Sequence, residues 1–111
     1  MVTQEMLLEA LEKARARMIG ADGTPVLPGW DRKIQYHFTD IDEYWAMVVE
    51  DGRPQPVTRE ELDDPDIRLT MSAETFVGLM DKTLSGLVAM TTGKVKVKAS
   101  MADMRKMQVF M

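Results

Sequence analysis

Few residues of this chain could carry out acid–base, nucleophilic or metal chemistry. The 111 residues include no cysteine, which excludes a thiol nucleophile, a thiolate metal site and a disulfide framework. The one histidine, His37, excludes any site that needs two imidazoles, and it falls on the polar side of an alternating pattern, where we expect it to be solvated. Asp63, Asp64 and Asp66 lack the spaced ladder of side chains and the later glutamate of a calcium loop. The sequence therefore predicts neither a bound metal nor a cofactor.

Two other patterns bear on phosphate binding and on acid–base catalysis. Gly86 and Gly93 are separated by six residues where a phosphate-binding loop has four, and Val95 stands where such a loop has a magnesium-binding serine or threonine. A small enzyme acting on a steroid or lipid by acid–base chemistry would need a carboxyl group of raised pKa inside an apolar pocket. Most acids of the chain fall in turns or on polar faces, which leaves Asp81 and Asp103 as candidates. We predict that the protein is not an enzyme and keep acid–base catalysis as an alternative.

Composition and charge narrow the remaining function classes. Eleven methionines against three phenylalanines indicate an adaptable apolar interior, because methionine is flexible and polarizable. The net charge of −4 has the wrong sign for a general nucleic-acid binder. Lys94, Lys96 and Lys98 alternate along one strand pattern, which favours either transient contact with an anionic membrane or a charged strand edge that resists aggregation. Neither a membrane span nor a signal peptide is visible, so we expect a cytoplasmic protein.

The first half of the chain predicts one helix followed by strands. Apolar residues recur at helical spacing over residues 3–19, with Thr3 suited to the N-cap and Gly20 to the C-terminal stop. Alternation then predicts a half-buried strand at 34–38, and the run 44–49, apolar on both faces, predicts a more central strand.

A hairpin and a short edge strand should follow. Asp51-Gly52 is a strong hairpin signal and predicts a returning strand at residues 55–57, which the neighbouring prolines confine to an edge. The capping-box spacing of residues 58–61 predicts a single helical turn, and alternation predicts a further strand at residues 67–71.

The second half adds helices around one more strand. Ser72 suits a helix N-cap, residues 84–90 form a second apolar segment, and residues 94–98 alternate lysine with valine. The chain closes with methionines at helical spacing. This order predicts an α+β fold in which a mainly antiparallel five-stranded sheet carries helices on one face. We expect one domain over residues 1–111, with the N-terminal helix at 3–19 and the sheet and remaining helices within 33–111.

The order of these features resembles the sterol carrier protein type 2 domain. The resemblance lies in the strand–helix entry at residues 67–76, the apolar segment at 84–90, the strand Gly93-Lys94-Val95-Lys96-Val97-Lys98 and the methionine-bearing terminal helix. The strand pair around Trp45 and Asp51-Gly52 is similar to that family's early hairpin. The likeness covers roughly residues 34–110.

The resemblance implies an apolar tunnel between the helices and the sheet that encloses a sterol, a fatty acid or acyl-CoA without covalent chemistry. The residues expected to contact the lipid are Phe76, Val77, Met80, Leu84, Leu87, Val88, Met90, Met101, Met104, Met107 and Phe110. The chain departs from the family at residues 82–86, which lack the usual Gly-Lys-apolar-x-Pro, and at Ala99-Ser100, where a Gly-Asn or Gly-Asp turn is usual. Both departures fall at the mouth of the family's tunnel.

The sequence therefore predicts a non-catalytic intracellular module that binds or transfers a lipid. The alternative is a protein interaction or dimerisation module of the same fold with its tunnel closed. Besides the apolar small molecule, the expected partners are a membrane surface, a second copy of the chain or a partner enzyme. We expect no nucleic acid as a partner.

Overall fold

The computed structural model describes residues 1–109 of the chain. Helix α1 spans Gln4–Ala16, and the Thr3 hydroxyl caps it by accepting a hydrogen bond from the Met6 amide at 3.1 Å, as predicted. The helix ends three residues before the predicted end at residue 19, because the chain turns there and Ile19 forms a β-bridge with Pro25. Gly20 therefore does not end the helix as predicted, and its amide instead donates to the Thr24 carbonyl within the following loop.

Five strands form a single sheet in the order β3-β2-β1-β4-β5. Their bounds are β1 Arg32–Phe38, β2 Glu43–Glu50, β3 Arg53–Pro54, β4 Ile67–Met71 and β5 Val95–Lys98. Strand β1 pairs with β4 in parallel, and the other three pairings are antiparallel. The predicted α+β fold with a mainly antiparallel sheet is confirmed, and β1–β4 is its one parallel pair. The central strand of the sheet is β1, not β2.

The parallel pairing requires the chain to cross the sheet between β3 and β4. Residues 55–58 first continue along the edge of β2, where the backbones of Thr58 and Ala46 pair. Residues 59–66 then cross on the face away from the helices, where Gln35 of β1 holds them. Its side-chain amide donates to the carbonyls of Trp45 and Glu60, at 2.8 and 3.0 Å, and accepts from the Leu62 amide. Gln35 is consequently buried although it lies on the polar side of β1. The helical turn predicted at 58–61 is wrong, because Thr58 pairs its backbone with Ala46 instead.

The hairpin predicted at Asp51-Gly52 is confirmed. Both residues have positive φ, 51° and 76°, as a two-residue turn between twisted strands requires. The returning edge strand begins at once, as β3, and not at residues 55–57. The hairpin tip packs on the preceding loop, since the Gly52 amide donates to the Trp30 carbonyl at 2.9 Å and the Asp51 carboxylate accepts from Gly29 at 2.8 Å.

Three more helices follow the crossing: α2 spans Ala73–Met80, α3 Gly86–Thr91 and α4 Met101–Lys106, after which Met107–Val109 form a 3₁₀ turn. Ser72 caps α2 as predicted, accepting from the Thr75 amide at 3.0 Å. The helices cover one face of the sheet, where Tyr36 and Phe38 of β1 meet Phe76 of α2 with both ring-centroid separations at 5.3 Å. The centre of the sheet is therefore filled by aromatic packing.

Gly52→Ala is expected to destabilise the protein much more than Gly23→Ala. Both glycines have positive φ, 76° and 83°, so alanine strains either backbone by about 1–2 kcal/mol. A Cβ on Gly52 would also collide with the Leu27 carbonyl oxygen and lie 2.8 Å from the Pro25 Cβ, whereas a Cβ on Gly23 meets nothing within 4 Å. Urea titrations should show a difference of about 2 kcal/mol in the free energy of unfolding. An equal loss of unfolding free energy in the two variants would contradict the tight packing of the hairpin on the loop before it.

Candidate functional site

An apolar groove of about 460 Å³ lies between α3, β5, α4 and the 3₁₀ turn. This volume is within the range of small-molecule binding sites. We call it the α3–α4 groove, and its lining residues are Gly86, Leu87, Met90, Val97, Met101, Met104, Arg105, Met107 and Gln108. Seven of these nine are apolar or glycine, so the groove suits an apolar ligand.

The groove is open at its rim and closed toward the core. Leu87 and Met101 stand at the rim with exposed fractions of 74% and 69%, whereas Met107 is buried and belongs to the hydrophobic core. Four methionines contribute to the lining, and their flexible thioether side chains can adapt to ligands of different shape. A ligand could therefore enter from solvent without opening the core.

Helix α3 presents most of its apolar side chains outward. It has six residues, and Ala89 is its buried side chain. The Lys94 amide donates to the Ala89 carbonyl at 2.8 Å, and Gly93, with φ of 78°, turns the chain directly into β5. This tight return leaves Leu87 and Met90 on the groove side, beside Val97 of β5.

A buried carboxylate holds α4, the opposite wall of the groove. Asp103 is 5% exposed, and its two oxygens accept hydrogen bonds from Trp30 Nε1 at 3.0 Å and from Arg32 Nε at 2.9 Å. The Asp103 amide donates to the Ser100 hydroxyl, which caps the helix. Burial alone would raise the pKa of Asp103, but the hydrogen bonds from Arg32 and Trp30 and the charge of Arg32 outweigh it and lower that pKa. Asp103 thus joins α4 to β1 and to the loop before it.

Neither carboxyl group named for acid–base catalysis has the raised pKa that this chemistry needs. The pKa of Asp103 is lowered, and its oxygens are occupied by Trp30 and Arg32. Asp81 is exposed at the end of α2, and the Thr83 hydroxyl and amide, which donate to it, lower its pKa as well. Neither residue lines the α3–α4 groove. The acid–base alternative therefore has no support at these two positions.

The structure brings together part of the predicted lipid-contact set. Leu87, Met90, Met101, Met104 and Met107 line the groove. The remaining members lie elsewhere: Phe76 and Met80 are buried in the core, Val77 and Leu84 pack against it, and Val88 is exposed outside the groove. Phe110 lies outside the described residues. Whether these residues contact a lipid stays a prediction.

Sequence reasoning missed Gly86, Val97, Arg105 and Gln108, which also line the groove. A signal for the two polar residues was present. Residues 101, 104, 105 and 108 follow the i, i+3, i+4, i+7 spacing of a single helix face. A pattern limited to apolar residues leaves out Arg105 and Gln108, which lie on that face.

The three alternating lysines lie apart from the groove. Strand β5 is at the edge of the sheet, and Lys96 and Lys98 point away from the face on which Val97 lines the groove. All three lysines, including Lys94 just before the strand, are exposed. Lysines on an edge strand are what we expect if their charges protect that edge against aggregation.

Two further properties concern residues 1–109. No group of three or more acidic or histidine side chains in this range is arranged to hold a metal ion. No helix within the same range is long and apolar enough to cross a bilayer.

Comparison with known proteins identifies a shared fold. A model of the SCP-2 sterol transfer family matches residues 7–111. Sterol carrier protein-2 of Aedes aegypti, solved in complex with palmitate, is 14% identical with a TM-score of 0.70, and the match covers 100% of both chains. Palmitated SCP2L2 of Aedes aegypti is 20% identical with a TM-score of 0.66, over 97% of this chain and 92% of that one. No curated protein matches by sequence.

The same fold also occurs inside a larger enzyme. A mutant of the sec-alkyl sulfatase PisA1 of Pseudomonas sp. is 16% identical with a TM-score of 0.74, over 99% of this chain. The match covers 16% of the sulfatase chain, so the present chain corresponds to a small part of that protein.

Asp103→Asn is expected to reduce the free energy of unfolding by about 2 kcal/mol at neutral pH, because it leaves Arg32 without its buried partner. The lowered pKa of Asp103 stabilises the fold above the ordinary carboxyl pKa of about 3.9, and this contribution is lost as the pH falls through the lower pKa of the folded protein. The difference between variant and wild type should therefore shrink at about pH 3.

Asp64→Asn is the matched control, because Asp64 is an exposed carboxylate. Urea titrations of the three proteins at both pH values measure the effect. An Asp103→Asn protein as stable as Asp64→Asn at neutral pH would contradict the anchoring role of Asp103.

Proposed function

We propose that this chain, which belongs to the SCP-2 sterol transfer family of lipid-binding domains, binds a long-chain lipid in the α3–α4 groove. The family is the one that the sequence predicts. Binding is non-covalent and reversible, so that the lipid is carried and released unchanged. The observation that carries the proposal is the groove itself: about 460 Å³ of mainly apolar space with methionine walls and an open rim.

A fatty acid is the ligand class that the comparisons favour. Two proteins of the same fold, sterol carrier protein-2 and SCP2L2 of Aedes aegypti, were solved with palmitate. Their sequence identities to this chain are 14% and 20%, so the ligand of this chain is inferred from its own groove together with theirs.

The energetics favour exchange over permanent capture. A sixteen-carbon chain gains roughly 12 kcal/mol on leaving water, at about 0.8 kcal/mol per methylene. A bilayer offers the same gain in free energy. A carrier therefore needs only an affinity for lipid comparable to that of the bilayer and a route by which the lipid can leave. The half-open groove suits this role, because Leu87 and Met101 at its rim remain largely exposed. We place this activity in the cytoplasm, with delivery to a membrane or to a partner enzyme.

A second candidate, an interaction module that pairs with another copy, is favoured by one observation. Val88 is 49% exposed outside the groove, on the same short helix as the exposed Leu87 and Met90. Contiguous exposed apolar surface is typical of interaction sites. In this candidate function the surface is covered by protein, and lipid uptake is absent.

Met90→Asp is expected to weaken lipid binding at least about tenfold, because it replaces an apolar wall of the groove by a charged group. Val88→Asp is the matched control, since it introduces the same charge on the same helix at almost the same exposure, 49% against 47%, outside the groove. Titration with a neutral fluorescent long-chain alcohol measures both and avoids repulsion between two carboxylates. Equal affinities for the two variants would remove the α3–α4 groove as the lipid site.

The two candidate functions are separated by native mass spectrometry of freshly purified protein with solvent extraction of bound lipid. Stoichiometric lipid on a monomer is the result expected for the carrier. An empty dimer whose mass falls to that of a monomer in Val88→Asp would favour the interaction module instead.

A further inference from the structure

The α3–α4 groove contains two polar side chains among its lining residues, Arg105 and Gln108. They are three positions apart, at the junction of α4 with the 3₁₀ turn, where side chains at i and i+3 lie on the same face. Both are exposed, whereas Met107 between them is buried. The groove therefore has an apolar interior and a polar, partly cationic position at its water-facing side.

Among residues 1–109, no side chain occupies the guanidinium of Arg105. Three other arginines are each paired with an acid: Arg15 with Glu12, Arg32 with Asp103 and Arg59 with Glu43. The Arg105 side chain forms no hydrogen bond or ion pair with any residue of the described range 1–109, and its backbone carbonyl accepts from the Met107 amide within the helix end. The acid nearest to it in sequence is Asp103, and both oxygens of that carboxylate are already taken by Trp30 and Arg32. No acidic side chain of α4 competes for Arg105.

This arrangement matches one kind of lipid better than others. A guanidinium presents a planar fork of donors that fits a carboxylate in two parallel hydrogen bonds, and the Gln108 amide can supply a further donor. A neutral alcohol or a sterol hydroxyl gains less, because it carries no charge. A fatty acid would place its chain along the methionine walls and keep its carboxylate in contact with water.

On the basis of the proposed lipid-binding function, we infer that the α3–α4 groove selects single-chain lipids with a free carboxylate, and that Arg105, supported by Gln108, is the residue that determines this specificity. The affinity for lipid comes from the apolar walls, and the discrimination between acid and alcohol comes from Arg105. Removing the guanidinium should therefore change the preference and leave binding of a neutral lipid intact.

The test compares palmitate with hexadecanol, which has the same number of carbons and no charge, by displacement of the neutral dye Nile red. Wild type should bind palmitate about fivefold more tightly, the discrimination that an exposed ion pair of about 1 kcal/mol provides. Arg105→Gln should bind both lipids equally, and Arg105→Lys, which keeps the charge without the fork, should retain part of the preference. Lys106→Gln removes a neighbouring exposed charge outside the groove and should behave as wild type.

The outcomes are distinct. Loss of the preference in Arg105→Gln with unchanged hexadecanol affinity supports the inference. A wild type that does not discriminate, or an Arg105→Gln protein that still does, overturns the inference and leaves the proposed lipid binding in place. A wild type that binds neither lipid overturns both. A preference lost equally in Lys106→Gln would assign the effect to general surface charge and also overturn the specific role of Arg105.

Discussion

Removing a carboxylate from water is unfavourable unless other groups replace its hydration. In this fold the side chains of Trp30 and Arg32 do so for Asp103 by donating hydrogen bonds to it. Trp30 comes from the loop before the sheet, Arg32 from the first residue of the central strand and Asp103 from the terminal helix. Helix α4 has six residues, far fewer than the roughly 12–15 that an isolated helix needs for marginal stability in water. Its position, and with it one wall of the groove, depends on this contact to the sheet.

The parallel pairing of β1 with β4 decides where the groove can form. It places the second half of the chain on the far side of β1 from the β2–β3 hairpin, so that β5 becomes the edge strand. The centre of the sheet is filled by the rings of Tyr36, Phe38 and Phe76. Helices α3 and α4 flank β5, and the apolar space that remains lies at the sheet margin, where a ligand can reach it from solvent.

The groove combines two properties that a reversible carrier needs. Its methionine walls offer an acyl chain an environment comparable to a bilayer, and its rim is open enough for the chain to leave. Apolar walls alone do not distinguish one long-chain lipid from another, because the hydrophobic effect is non-directional. The proposed discrimination between lipids therefore requires a polar group at a defined place, and Arg105 is an exposed cationic residue of the groove.

The sequence by itself determined the features that rest on local chemistry. These include the Thr3 and Ser72 caps, the Asp51-Gly52 turn, the alternating strands and the α+β class, because caps, turns and periodicity depend on residues that are close in the chain. The methionines at residues 101, 104 and 107, for which the family resemblance implies lipid contact, line the groove. Local signals failed where a distant partner intervened, as when Thr58 paired with Ala46 in place of forming a helical turn. Only the tertiary structure decided that Phe76 packs in the core while Leu87 lines the groove, that Gln35 is buried, and that Arg105 is among the residues that line the groove. Helical spacing states which residues share a face, but what that face meets is set by contacts between elements far apart in the chain.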